Sequence, residues 1–129
     1  MSTMIIDENG NKYWKNKKGE YHRIDGPAIE FTNGDKWWYL NGKFHRKDGP
    51  AIEFADGSKK WYLNGELHRE DGPAIEWVDG TKYWYLNGKE YSEKEYWKKL
   101  KELKLGKYEE KQRKEKISLI DQILNEILR

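Results

Sequence analysis

A block of about 23 residues is written three times in succession, as HRIDGPAIEFTNGDKWWYLNGKF from His22, HRKDGPAIEFADGSKKWYLNGEL from His45 and HREDGPAIEWVDGTKYWYLNGKE from His68. A fixed period of this length denotes one supersecondary unit that cannot bury its apolar face alone and is stable only when stacked on its neighbours. Such arrays serve as surfaces more often than as catalysts. A degenerate copy, Ile5-Ile6-Asp7-Glu8-Asn9-Gly10 followed by Tyr13-Trp14, precedes the first full unit. The array therefore divides into a partial unit over 4–21 and full units over 22–44, 45–67 and 68–89, which make up a repeat domain of residues 1–89.

Each unit holds two Gly turns separated by period-2 patterning, the signature of β-hairpins. Asn-Gly and Asp-Gly supply the two positive-φ positions of a type I′ turn. A turn of that type at Asn33-Gly34 pairs Ile29 with Trp38 and Glu30 with Trp37. The same register pairs Ile52 with Trp61, Ile75 with Trp84 and Ile5 with Trp14. One face then collects Ile29, Phe31, Trp38, Leu40 and their equivalents as the core. The other, outer face carries Ala28, Glu30, Trp37 and Tyr39 with theirs, and the lysine at position 60 of that set argues for contact with water.

The repeat ends after Gly88, where Tyr91-Ser92 replaces His-Arg. Ser92-Glu93-Lys94-Glu95 is a capping box, which predicts a helix over about 93–105 that stops near Leu105-Gly106, then a second over about 108–128. Residues 90–129 thus form a helical segment. The fold class expected is α+β: a single-layer twisted antiparallel β-meander of tandem hairpin repeats, closed by a C-terminal two-helix lid. The stripe Ile117, Ile120, Leu124, Ile127 and Leu128 either covers the open sheet face or serves as a homodimer seam through Ile117–Leu128.

Composition narrows the function classes. Residues 1–89 carry 14 basic and 14 acidic side chains, and the whole chain has a formal charge of +2, so no global charge draws it to nucleic acid or anionic lipid. Seven Trp, nine Tyr and three Phe imply a core of aromatic slabs with some aromatic surface left for a partner. The absence of Cys removes disulfides, thiol nucleophiles and Cys-ligated zinc. No apolar leader or span stands out, which makes a cytoplasmic protein without membrane contact the expectation.

The run Trp61-Tyr-Leu-Asn-Gly-Glu-Leu-His68, followed by Asp71-Gly72 and Asp79-Gly80, resembles a variant MORN repeat. The likeness covers residues 4–89. It departs from the family pattern at Arg23, Arg46 and Arg69, which stand where Gly usually follows His, and at Pro27, Pro50 and Pro73. This His-Arg-x-Asp-Gly-Pro-Ala type is similar to short repeat proteins of bacteriophages, large DNA viruses and some bacteria. The resemblance implies a scaffold or interaction surface, with no cofactor and no catalytic residues.

The residues agree with a non-enzymatic reading. Equivalent histidines two strands apart lie about 9–10 Å from each other, too far for His22, His45 and His68 to share a metal with bonds of about 2.1 Å. Glu30, Glu53 and Glu76 occupy equivalent environments, so no acid and base are set apart. Arg and Asp of the link are expected to pair from one unit to the next. Specific contacts should fall where units differ: Trp37/Lys60/Tyr83, Ile24/Lys47/Glu70 and Thr32/Ala55/Val78, beside the Tyr39, Tyr62, Tyr85 stripe. The outer aromatic face of Trp37, Tyr39, Lys60, Tyr62, Tyr83 and Tyr85 is the expected binding surface of a protein-interaction module. Its analogues suggest a phage or prophage inhibitor that occludes a host protein such as a defence nuclease. The alternatives are a homodimeric scaffold, or single-stranded nucleic acid or nucleotide binding that adds a basic patch of Lys98, Lys101, Lys104, Lys107, Lys111, Arg113 and Lys114.

Overall fold

The computed structural model describes residues 2–129. The elements run β1 (Thr3–Ile6), β2 (Lys12–Lys15), β3 (Ile29–Glu30), β4 (Lys36–Trp37), β5 (Tyr39–Leu40), β6 (Lys43–Phe44), β7 (Ile52–Glu53), β8 (Lys59–Lys60), β9 (Tyr62–Leu63), β10 (Glu66–Leu67), β11 (Ile75–Glu76), β12 (Lys82–Leu86), β13 (Lys89–Tyr91) and α1 (Glu93–Ile127). A nine-stranded antiparallel sheet takes the order β1-β2-β3-β4-β7-β8-β11-β12-β13, and the ribbons β5-β6 and β9-β10 branch from it. The fold is α+β, a meander of hairpins followed by one helix. The chain divides into two units, residues 1–96 and 97–129.

The two turns of each repeat differ although both contain Gly in second place. Asn41-Gly42 is a type I′ turn with φ of 48° and 79°, and Asn64-Gly65 and Asn87-Gly88 match it. Leu40 accordingly faces Lys43. At Asn33-Gly34 only the glycine has positive φ, at 102°. The Phe31 carbonyl accepts the Gly34 N–H, Phe31 N–H donates to the Asp35 carbonyl, and Asn33 Oδ1 accepts the Asp35 N–H. This is a three-residue loop with a glycine bulge, held by an Asx bond. Asp56 and Asp79 repeat that bond.

One extra loop residue slips the expected register by one position. Ile29 faces Trp37, Ile52 faces Lys60, Ile75 faces Tyr83 and Ile5 faces Tyr13, not the tryptophan that follows each. Because side chains alternate along a strand, a slip of one exchanges the faces. The expected core and outer faces are therefore corrected: Trp37, Lys60 and Tyr83 share a row with the buried Ile29, Ile52 and Ile75, while Trp14 and Trp38 lie on the side of Glu30 and Glu53.

The isoleucine side holds a chain of rings. Centroids are 6.1 Å apart for Tyr13–Tyr21, 5.4 Å for Tyr21–Tyr39, 4.2 Å for Tyr39–Phe44 and 5.0 Å for Phe44–Tyr62. Trp37 meets Phe31 and Phe44 edge-on, and its Nε1 is buried without a hydrogen-bond partner among the described residues. Burial raises the phenols of Tyr39 and Tyr62 above the ordinary tyrosine value, with neighbouring tyrosines adding to the effect. The opposite side is also filled, since Ala28, Ala51 and Ala74 are fully buried.

The two expected helices are one. The 35-residue α1 runs through Gly106, where a Cβ would meet nothing within 4 Å. A mid-helix glycine costs only about 1 kcal/mol relative to alanine, too little to break a helix carrying ion pairs such as Glu110 with Arg113 and Lys114. Ile117, Leu119, Ile120, Ile123, Leu124, Ile127 and Leu128 are 46–80% exposed. No helix among the described residues is long and apolar enough to cross a membrane.

The ring chain makes Tyr62 structural. Tyr62→Ala should lower stability by about 2 kcal/mol, somewhat less than a fully buried aromatic truncation, with the midpoint of urea unfolding as the readout.

Candidate binding surface

The repeated link His-Arg-x-Asp-Gly-Pro is a built piece of backbone chemistry. In the second unit the Arg46 guanidinium lies 4.0 Å above the Trp38 ring. Its Nε donates to Asp48 Oδ1 at 3.1 Å, and its Nη1 donates to the Pro50 carbonyl at 3.2 Å and to Glu53 Oε1 at 3.0 Å. Arg23 on Trp14 and Arg69 on Trp61 reproduce the arrangement at 3.9 and 3.8 Å, with Asp25 and Glu30 or Asp71 and Glu76 as partners. The glycine is needed for space: a Cβ at Gly49 would stand 2.9 Å from Arg46 Cζ. The carboxylates Glu30, Glu53 and Glu76 are thus guanidinium partners, and each Arg–Asp pair closes inside its own link instead of bridging units as expected.

Histidine ties the start of each unit to that unit's own second turn. The Nδ1 atoms of His22, His45 and His68 accept the backbone N–H of Asn41, Asn64 and Asn87, each at 2.9 Å. An Nδ1 acceptor fixes the proton on Nε2, and in His68 that nitrogen lies 2.9 Å from Glu70 Oε2. Backbone bonds from Arg23 to Tyr39, Arg46 to Tyr62 and Arg69 to Tyr85 run alongside. At the opposite edge Asn11, Asp35 and Ser58 side chains accept the N–H of Thr32, Ala55 and Val78. Among the described residues no cluster of three or more His, Asp or Glu is placed to hold a metal.

The last unit lacks the arginine that would cover Trp84, because Ser92 stands there. Ser92 Oγ accepts the Glu95 N–H, as the capping box predicts, and the first helical turn brings Tyr96 to the Trp84 ring with centroids 5.0 Å apart. The Tyr96 hydroxyl donates to the Arg69 carbonyl, and the side chain is completely buried.

The residues singled out in the sequence separate into three groups. Trp37, Tyr39 and Tyr62 belong to the half-buried ring chain, not to a free outer face. Lys60 lies 5.0 Å from the Trp77 ring centroid and 5.9 Å from that of Phe54, while Tyr83 is exposed and Tyr85 half-buried. Ile24, at 85% exposure, stands out with Lys47, Glu70, Thr32, Ala55 and Val78 as the exposed variable set. Lys98, Lys101, Lys104, Lys107, Lys111, Arg113 and Lys114 all lie on α1, where Arg113 and Lys114 pair with Glu110 and Lys111 approaches Glu115.

A cleft of about 740 Å³ opens between the first and second links. It is bounded by Arg23, Asp25 and Gly26 on one side, by Arg46 and Lys47 on the other, and floored by Trp38 and Leu40. Sequence reasoning missed it because its walls come from residues read as link structure; the signal available was the exposed variable pair Ile24 and Lys47 inside an otherwise constant link. Comparison with protein-family models, with curated proteins and with solved structures gave no match.

Two measurements check the link. Arg46→Lys should cost about 1–3 kcal/mol in denaturant unfolding, since the ammonium retains its charge above the ring but loses the planar fork that satisfies three acceptors. Burial, with the Lys47 charge beside it, pushes His45 below the ordinary histidine value of about 6.5. Its folded-state pKa is depressed, so stability is complete above about pH 6.5 and declines as pH falls from there through the folded-state value. A melting series from pH 7.5 to 5 should record that decline, and His45→Gln should make it smaller.

Proposed function

We propose that the chain is a non-enzymatic protein-interaction module of MORN-like repeats. The observation that carries this reading is the division of labour within each unit. His, Arg and Asp of the link, with Glu30, Glu53 and Glu76 beyond it, make the same internal bonds in every copy, whereas Ile24/Lys47/Glu70 and Thr32/Ala55/Val78 differ between copies and are exposed. The histidines hold backbone N–H groups and the repeated carboxylates hold guanidinium groups. What remains accessible and individual is a contact surface.

The partner in this reading is a host protein, occluded in the manner of a virus- or prophage-encoded inhibitor, and a nucleic-acid-handling defence enzyme is the favoured target class. Function does not follow from the fold; occlusion is favoured because a repeat sheet offers an extended contact area and no reaction centre. The exposed stripe from Ile117 to Leu128 is the segment through which a second copy would associate. Nucleic-acid binding has weaker support, because Glu110 and Glu115 partner the basic side chains in the middle of the helix.

Affinity capture with the tagged full chain from host lysate, followed by mass spectrometry, should recover a stoichiometric protein. Ile24→Asp combined with Lys47→Glu should reduce recovery about tenfold or more, equivalent to roughly 1.4 kcal/mol of binding, without moving the melting temperature. Recovery of nucleic acid that is lost steeply with salt, or turnover of a substrate by the chain, would overturn the proposal.

A further inference from the structure

Neighbouring units meet through the same strand pair each time. Lys12 and Tyr13 face Glu30 and Ile29, Lys36 and Trp37 face Glu53 and Ile52, and Lys59 and Lys60 face Glu76 and Ile75. Each end of the array keeps one half of that joint. At the N-terminal end β1 takes the place of β3, since Ile5 faces Tyr13 as Ile29 faces Trp37. At the other end β13 pairs only with Trp84, Tyr85 and Leu86. Lys82 and Tyr83 stand there in the place of Lys36 and Trp37, and among the described residues they pair with β11 alone.

Both halves are open. Ile5 is 49% exposed, where the equivalent Ile29, Ile52 and Ile75 are 3, 5 and 8% exposed. Met4 is 46% exposed, where Ala28, Ala51 and Ala74 are fully buried. Tyr83 is exposed, whereas Trp37 and Lys60 are half-buried. Strand edges that stay free are guarded by charge or proline. The inner units carry both, as Pro27, Pro50 and Pro73 and as Glu30, Glu53 and Glu76, but β1 has Thr3 and Ile6 in those places. Its backbone is also turned the right way. Asp7 N–H donates to the Asn11 carbonyl within its own hairpin, so alternation turns the N–H and C=O of Ile6 outward. The Thr81 carbonyl accepts the Trp77 N–H in the same manner, which turns those of Lys82 outward.

We infer that copies of this chain join head to tail, β12 of one against β1 of the next, with Tyr83 facing Ile5 and Lys82 facing Ile6. Thr81 continues the series of acceptors Asn11, Asp35 and Ser58, and Glu8 continues the series of donors Thr32, Ala55 and Val78. A docked copy thus gains the side-chain bond that ties units together inside the chain. The joint uses two different surfaces and does not close on itself, so it extends into an open row. This assignment goes beyond the interaction-module reading and stands whether or not a host protein binds.

Sedimentation velocity of the full chain over roughly 10 µM to 1 mM should give a mean mass that climbs past the dimer. Ile6→Pro and Lys82→Pro each remove one outward N–H, at opposite ends, and spare the bonds to β2 and β11. Each variant alone should lose the climb at an unchanged melting temperature. An equimolar mixture should form one-to-one pairs that grow no further, because each variant supplies the end the other lacks. Ile6→Lys, which sets two ammonium groups face to face, should weaken association several-fold, and adding Lys82→Glu should restore it. This charge pair decides the matter where proline unsettles a hairpin. The proposal fails on a wild-type mass independent of concentration, or on absence of rescue by Lys82→Glu. It fails equally on a climb that survives Lys82→Pro, as pairing of β1 with β1 or of helix with helix would allow.

Discussion

The guanidinium laid on tryptophan is the interaction on which the repeat depends. In one place it satisfies a carbonyl and two carboxylates, covers an indole face and fills the space left by a glycine without a Cβ. Such a group gains from ring quadrupole and charge-assisted hydrogen bonds together, and it remains partly solvated, which spares it the full cost of a buried ion. A domain poor in aliphatic side chains thereby obtains an interior made of rings and charged planes. The alanines beneath are sealed by this layer, and the isoleucines on the other side by tyrosine and phenylalanine.

Stacking is directional. Each unit accepts, through Asn11, Asp35 or Ser58, the N–H of Thr32, Ala55 or Val78 in the unit that follows, while each histidine accepts the N–H of an asparagine held at positive φ within its own unit. Stability in such an array is close to a sum over neighbours, so identical junctions give even coupling along the sheet. At the C-terminal junction the pattern changes while the physical role persists: an aromatic ring takes the position of the guanidinium over Trp84.

Much of this architecture was legible in the residues. The hairpin character of the repeat followed from its patterning, the Asn41-Gly42 type turns fell where expected, and the Ser92 cap opens the helix. The first turn of each unit was misread because Asn33-Gly34 and Asn41-Gly42 are the same dipeptide. What separates them is an Asx bond to Asp35, Ser58 or Thr81 that adds a residue to the loop, and alternation then carries that one residue into every face assignment. Leu105-Gly106 resembles a helix stop, yet α1 continues through it because one glycine costs too little to end a helix of this length. The cleft was invisible because contact between two links 23 residues apart depends on how units stack, not on what each contains.

The slipped register places Lys60 in the same row as Ile52 and Ile75, between strands whose backbone bonds it does not make with its side chain. A row of this kind tolerates tryptophan, lysine and tyrosine in turn over an unchanged ladder. The three copies thus differ in size and charge at one row while the backbone pairing beneath them stays the same.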